Sequence, residues 1–297
     1  MTFEELGKTL RAVADRVGPS VVGVGQRWGV GSGISLGEGK ILTNAHNVRR
    51  EEVSVTLADG ATVTGTVAGA DVDKDVAVVK VEDAGPPALQ WAPTLAEVGI
   101  GSPVFALSNP GGRGLRVTHG FVSGTERSFR GPRGRRISGS IEHTAPLLPG
   151  SSGGPVVDLE GRLLGLNTNR LGEGFYLAIP ADSSLRDRAA ALAGGRVPTR
   201  PRLGVGLAPA DVANGLRRAV GLPERDGLLI RAVEEGGPAA SAGVKEGDLL
   251  VAADGKAIKD FDGLFDALEG ADKELRITIV RGVDEQDLVV PLESVRS

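Results

Sequence analysis

The spacing of hydrophobic positions falls into three regimes along the chain. Phe3, Leu6, Leu10, Val13 and Val17 recur at steps of three and four, which is the stripe of one amphipathic helix. Thr2 and Glu5 stand at capping-box spacing at its start and Gly18-Pro19 ends it, so residues 1–18 are predicted as an N-terminal helix. Such a stripe either covers the helix's own domain or forms a contact with another copy, and the pattern leaves both open.

From Ser20 to about Asp182 the period drops to two. Val53, Val55 and Leu57 alternate with polar residues, Asp59-Gly60 supplies a turn, and alternation resumes from Thr62 to Val67, predicting a half-buried antiparallel pair. Val76 to Val81 is a denser run interrupted only by Lys80, as expected of a strand buried more fully. Pro86-Pro87 and Pro93 mark a crossover, after which strands resume around Val104 to Leu107, so residues 19–193 are expected to hold two β subdomains. Residues 194–202 have linker composition. Beyond them, at 203–293, short strands (Leu228 to Ile230, Leu249 to Ala252, Leu275 to Val280, Leu288 to Val290) surround a helix with Phe261, Leu264, Phe265 and Leu268 on one face, a compact α+β module.

Composition supports a mainly β protein. The 297 residues are 24% charged and 40% hydrophobic, a size suited to about two domains, and 45 glycines with 17 prolines allow the many reversals that short strands need. No apolar run approaches the roughly 20 residues of a membrane-spanning helix, so no transmembrane segment is expected. Met1 to Glu5 lacks a basic stretch followed by an apolar one, and the chain as written reads as cytoplasmic. With 34 Lys and Arg against 38 Asp and Glu, the net charge of −4 offers no electrostatic reason for nucleic acid as a partner. The absence of cysteine excludes disulfides, thiolate metal sites and a cysteine nucleophile.

A hydrolase without cysteine needs a hydroxyl activated by a base whose tautomer a third group fixes. Of the three histidines, His46 follows the strand-like Lys40-Ile41-Leu42 at a point where the apolar run ends, and is the candidate base. His119 reads as an ordinary strand residue and His143 as a packing one. In Gly150-Ser151-Ser152-Gly153-Gly154-Pro155, flanking glycines let the backbone turn tightly enough to expose a hydroxyl while two N–H groups converge. Ser152 is therefore the candidate nucleophile, and the N–H groups of Gly150 and Ser152 are the oxyanion donors. Asp75, at the mouth of the buried run, fits the orienting carboxylate, while Asp71 and Asp73 are expected to be solvated turn residues. The order His46, Asp75, Ser152 is that of chymotrypsin-type proteases, and this chemistry needs neither metal nor cofactor.

The blocks Gly31-Ser32-Gly33-Ile34, Ile41 to His46, Asp75 to Val81 and Gly150 to Pro155 resemble, in order, those of the HtrA (Deg) serine proteases. The stretch from Arg231 through Gly237-Pro238-Ala239-Ala240 to Leu250 resembles that family's PDZ domain. The resemblance implies a chymotrypsin-like double β-barrel followed by one PDZ domain, with His46, Asp75 and Ser152 as the triad. Ser151 stands where the family usually has Asn, a mild change because the hole uses N–H groups. Thr144 stands where family members often have Asp.

The arginine-rich Thr125 to Arg136 is expected to be a mobile solvated loop, and its position resembles a sensor loop. Gly111 to Arg116 and Asn169 to Gly174 resemble activation loops, and Phe175 to Pro180 a wall of the S1 pocket with a preference for small apolar side chains. Leu203-Gly204-Val205-Gly206 resembles a PDZ carboxylate loop. Arg202 replaces an aromatic residue there, either as a linker charge or as a cation that attracts the carboxylate.

The implied activity is ATP-independent endoproteolysis of unfolded or damaged proteins, with C-terminal peptides at the PDZ domain. The implied assembly is a homotrimer, and family members mostly work in the bacterial envelope. A peptide-binding or chaperone-like protein with a resting protease domain is the alternative.

Overall fold

A computed structural model describes residues 2–25, 30–82, 85–131, 136–172, 174–197 and 199–296. Two compact units are present, Met1–Val197 and Pro198–Ser297.

The first unit opens with helix α1 (Phe3–Val17). Both halves of the capping box form: Thr2 Oγ1 accepts from the Glu5 N–H at 3.2 Å and Glu5 Oε2 accepts from the Thr2 N–H at 2.7 Å. Val13 and Val17 are fully buried and Leu6 and Leu10 pack against the same core, so this stripe covers its own domain. Arg16 donates to the Glu160 carbonyl at 2.6 Å and ties the helix end to the unit.

Six strands then close a barrel: β1 (Val21–Val24), β2 (Gly31–Gly37), β3 (Lys40–Thr43), β4 (Glu52–Thr56), β5 (Thr62–Asp71) and β6 (Val76–Val81), in the order β1-β2-β3-β6-β5-β4. The β4–β5 hairpin pairs Val53 with Gly65 and Val55 with Val63 around the Asp59-Gly60 turn. Val22, Val24, Ile41, Val55, Val79 and Val81 fill the barrel interior. Val76 and Val78, on the opposite face of β6, belong to a second core shared with α1 and the following barrel. Burial on both faces explains why β6 reads as a near-continuous apolar run.

The second barrel comprises β7 (Pro103–Ser108), β8 (Arg116–Arg130), β9 (Arg136–His143), β10 (Pro155–Val157), β11 (Leu163–Gly172) and β12 (Phe175–Pro180), closed as β10-β11-β12-β9-β8-β7. Helix α2 (Ser183–Ala193), capped by Asp182, buries Leu185, Ala189 and Leu192 against the shared core. Leu185 and Leu192 each contribute about 1.5–3 kcal/mol by this burial.

Two expectations change here. Thr125–Arg130 is not loop but the end of β8, pairing Phe129 with Ile137 and Arg130 with Arg136, because Phe129 and Ile137 anchor the arginine-rich ribbon in the core; residues 132–135 lie outside the described residues. Asp71 and Asp73 are buried rather than solvated. Asp71 Oδ1 accepts from the Lys74 N–H at 3.2 Å, and its Oδ2 pairs with the Arg188 guanidinium of α2.

In the second unit β13 (Thr199–Arg202), within the segment of linker composition, pairs with the C-terminal β20 (Glu293–Arg296). A sheet of order β14-β15-β16-β18-β19 follows, from β14 (Val205–Ala208), β15 (Leu228–Val233), β16 (Leu249–Ala253), β18 (Glu274–Arg281) and β19 (Asp284–Pro291), with the short β17 (Lys256–Ala257) on β16. Helices α3 (Ala210–Ala219), α4 (Pro238–Ser241) and α5 (Phe261–Gly270) accompany it. Leu264 and Leu268 of α5 are buried with Leu228, Ile230 and Ile277, while Phe261 and Phe265 are half-buried against them.

Candidate active site

His46 lies in the single 3-10 turn Ala45–Asn47 that follows β3, and its side chain is about one-third exposed. Asp75 ends the tight turn joining β5 to β6 and is 2% exposed. Its φ of 56° is left-handed, a conformation that Asp tolerates better than most residues. Asn44 holds it there, donating from Nδ2 to the Asp75 carbonyl at 2.9 Å.

The Asp75 carboxylate accepts from the His46 backbone N–H at 3.1 Å and lies 2.9 Å from the ring Nδ1. A carboxylate only accepts, so Nδ1 carries the imidazole proton and Nε2 keeps its lone pair. Thr168 Oγ1 donates to Asp75 Oδ2 at 2.6 Å. Thr168 is the residue that sequence patterning missed; its signal is a polar side chain closing the apolar stretch Leu163 to Leu166 of β11.

Ser152 comes from the loop before β10, in the other barrel. Its hydroxyl donates to the Thr168 carbonyl at 3.0 Å, and among the described residues no hydrogen bond joins it to His46. Asn47, next to His46, donates from Nδ2 to the Ser152 carbonyl at 3.0 Å. Ser152, Thr168, Asp75 and His46 thus form one connected set drawn from both barrels.

The glycines around Ser152 are required by space as well as by backbone angle. A Cβ on Gly153 (φ +87°) would fall 2.1 Å from the Ser32 carbonyl oxygen, and one on Gly154 2.2 Å from that of Leu107. Gly150 has φ +89°. Among the described residues, neither the Gly150 N–H nor the Ser152 N–H has a hydrogen-bond acceptor, so both donors are open. Ser151 is buried and donates to Ser108 Oγ at 3.1 Å, turned into the protein.

The other two histidines stay apart from this set. His119 is an exposed residue of β8. His143 is fully buried, lies 2.9 Å from Asn167 Oδ1 through Nε2 and stacks on Tyr176 at 5.9 Å; burial lowers its pKa to about 4. Pro110–Gly112 forms a 3-10 turn at the start of the expected activation loop. The other such loop spans the β11–β12 junction, where residue 173 lies outside the described residues. The expected S1 wall is β12, whose Tyr176, Leu177 and Ala178 are buried.

In the second unit, Gly204 (φ +73°) accepts at its carbonyl from the Glu234 N–H at 2.9 Å, and Leu203 accepts from the Ala239 N–H at 2.9 Å. Val205 and Gly206 begin β14, the edge strand of its sheet. Arg202 pairs end-on with Glu234, donating from Nη1 to Oε2 at 2.6 Å and from Nη2 to Oε1 at 3.1 Å.

Residues 31–166 match a trypsin-like peptidase domain and residues 229–281 a PDZ domain. The putative serine protease HhoA of Synechocystis sp. is 37% identical over 287 residues, covering 91% of this chain and 72% of the relative. The chain belongs to the HtrA (Deg) family of serine proteases. Protease Do-like 1, chloroplastic, of Arabidopsis thaliana is 31% identical over 280 residues, covering 86% of the chain and 61% of the relative. The chain thus spans about two-thirds of the length of these HtrA relatives. Others are named mitochondrial in Drosophila and periplasmic in Halomonas elongata.

Among solved structures, the HtrA-type protease AlgW with decapeptide superposes with a TM-score of 0.71 at 24% identity, over 97% of this chain and 99% of that one. The two barrels are accordingly a chymotrypsin-like protease domain, and the second unit is a PDZ domain. Among the described residues no helix is long and apolar enough to cross a membrane.

Proposed function

We propose that this HtrA protein is an ATP-independent serine endopeptidase acting on unfolded or damaged polypeptides, with His46, Asp75 and Ser152 as its triad. The observation that carries the assignment is the buried Asp75 carboxylate holding the His46 Nδ1–H while the Thr168 hydroxyl and carbonyl link Asp75 to Ser152.

Rotation of the Ser152 hydroxyl from the Thr168 carbonyl toward His46 Nε2 begins catalysis. Nε2 takes the hydroxyl proton as Oγ bonds to the scissile carbonyl carbon, and the resulting oxyanion is met by the N–H groups of Gly150 and Ser152. The imidazolium then gives its proton to the departing amine as the C–N bond breaks, leaving an acyl-serine. Water, deprotonated by the same Nε2, cleaves that ester and restores the hydroxyl. Asp75 stays ionised throughout and stabilises the imidazolium.

The buried aliphatic and aromatic side chains of β12 support a small apolar residue at the cleavage position. At the PDZ domain, the open edge of β14 and the loop Leu203 to Gly206 support capture of an extended peptide and its terminal carboxylate, by strand addition beside α5. The domain division proposed is residues 1–18 helix, 19–193 protease, 194–202 connection and 203–293 PDZ. Family membership supports a homotrimer, checked by light scattering, and work in the cell envelope, checked by fractionation.

The deciding experiment is casein cleavage by the wild-type chain and by Ser152→Ala, each with and without hydrophobic C-terminal peptides, alongside labelling by a serine-directed phosphonate. Cleavage that falls by roughly 10⁵-fold or more in Ser152→Ala, with label on Ser152, is expected. Peptide binding without turnover or labelling in the wild type would overturn the assignment in favour of a binding protein.

A further inference from the structure

Ser32, in the Gly31-Ser32-Gly33 stretch of β2, belongs to the first barrel, yet its polar atoms serve the nucleophile loop of the second. It is completely buried. Its hydroxyl donates to the Gly150 carbonyl at 2.9 Å and accepts from the Asn109 N–H at 3.0 Å. Its backbone N–H donates to the Ser152 carbonyl at 2.8 Å, and its own carbonyl accepts from Thr43 Oγ1 at 2.7 Å.

We propose that Ser32 is the positioning residue for the oxyanion hole, an inference that rests on the protease assignment above. The hole needs the Gly150 and Ser152 N–H groups to converge, and that depends on the orientation of the peptide planes between them. A peptide plane is rigid, so fixing a carbonyl oxygen fixes the N–H on its far side. Ser32 Oγ fixes the Gly150–Ser151 plane, and the Ser32 N–H, with Asn47 Nδ2, fixes the Ser152–Gly153 plane. The Ser151–Ser152 plane, which carries the Ser152 N–H, lies between these two pinned neighbours, and its Ser151 carbonyl accepts from the Gly154 N–H at 3.0 Å.

Glycine at 150 makes such pinning necessary. Its φ of +89° belongs to a residue with wide conformational freedom, and the loop has no side chain there to lock it. Crowding supplies part of the constraint, since a Cβ on Gly150 would lie 2.9 Å from Pro110 Cβ and 3.3 Å from the Val30 carbonyl oxygen. The plane is held at both edges, its Gly150 carbonyl by the Ser32 hydroxyl and its Ser151 N–H by the Leu148 carbonyl at 3.1 Å. Ser32 also binds the Asn109 N–H, where the Pro110–Gly112 turn begins, and Asn109 Oδ1 in turn accepts from the Gly114 N–H at 3.0 Å. One buried hydroxyl therefore joins the loop at 109–114 to the nucleophile loop, so that order in the first favours the productive shape of the second.

The test compares Ser32→Ala, Ser32→Cys and Ser35→Ala in the full chain. Ser35 is the matched control: it lies on the same strand, is equally buried, and its hydroxyl donates to the Pro86 carbonyl at 2.6 Å and accepts from the Gly37 N–H at 3.1 Å, away from the site. The readouts are kcat and KM on a peptide substrate, affinity for a peptide boronic acid that forms the tetrahedral adduct, and thermal unfolding.

Ser32→Ala is expected to lower kcat and boronate affinity by roughly 10–100-fold with KM within about twofold, below the ~10²–10³ lost when an oxyanion donor is removed outright. Ser35→Ala is expected to lose comparable stability and keep kcat. Ser32→Cys, nearly isosteric and with a weaker donor, is expected to fold and to show an intermediate loss; it decides the matter if Ser32→Ala does not fold. Wild-type kcat and boronate affinity in either folded Ser32 variant, or an equal kcat loss in Ser35→Ala, would overturn the role. A wild-type chain that neither cleaves nor takes up the phosphonate overturns the protease assignment and this role with it, a result distinct from an active wild type with active Ser32 variants.

Discussion

Acid should destabilise the protease domain through His143, a histidine outside the proposed triad. Its ring is fully buried between β8 and β12, with Nε2 directed to Asn167 Oδ1 and Nδ1 without a hydrogen-bond partner among the described residues. Because the Asn167 oxygen accepts, the proton sits on Nε2 and Nδ1 is a bare lone pair. A second proton would place a charge and an unmatched N–H in the core. Burial accordingly lowers the pKa from 6.5 to about 4.

Between these values the unfolded chain binds a proton that the folded chain refuses. Stability therefore rises with pH across this window and is lost as pH falls from about 6.5 to about 4. The gap of about 2.5 pH units, at about 1.36 kcal/mol each, amounts to about 3 kcal/mol. For a domain of this size that corresponds to about 6–12 °C in Tm.

Of the two tryptophans in the sequence, Trp91 is packed against the core of the first unit, so intrinsic fluorescence reports its unfolding. Melting curves from pH 7 to pH 4 for the wild type and His143→Gln isolate the imidazole, since every carboxylate is common to both. The wild type should lose about 3 kcal/mol more than the variant over that range. Parallel pH profiles would refute the buried neutral imidazole as the cause.

Two further outcomes follow from the site. Thr168→Val removes a buried hydrogen bond to the Asp75 carboxylate and should cost about 1.5–3 kcal/mol of stability in denaturant titration, together with a roughly tenfold lower kcat at unchanged KM, equivalent to about 1.4 kcal/mol; an unchanged kcat would show that Asp75 keeps its catalytic position without the Thr168 hydroxyl. Gly153→Ala drives a methyl to 2.1 Å from the Ser32 carbonyl oxygen at a φ of +87°, so the chain should express poorly or lose more than about 3 kcal/mol. A stable, active Gly153→Ala protein would show that the two barrels can separate at this contact.

Much of this protein could be read from residues close together in sequence. The capping box of α1 needs only Thr2 and Glu5, the β4–β5 hairpin only alternation around Asp59-Gly60, and the Ser152 loop only its flanking glycines. Such features depend on backbone angles and on side chains a few residues apart, which leave their mark in composition and period. His46, Asp75 and Ser152 each stand at the end of a recognisable strand or in a glycine turn, so each could be named as a candidate, and their chain order is that of a familiar chemistry.

What tertiary structure decided is which atoms face one another. The partner of Asp71 is Arg188 on a helix beyond the second barrel, and that pairing buries a carboxylate whose local sequence reads as a solvated turn. Thr168 reaches Asp75, and Ser32 reaches Gly150 and Ser152, only because two barrels close against each other and bring distant strands to hydrogen-bond distance. Phe129 likewise turns an arginine-rich ribbon into strand by finding a core formed largely by other elements. Burial and hydrogen-bond partnership across the barrel interface are properties of the packed chain; local pattern determines only which side chains are available to enter them.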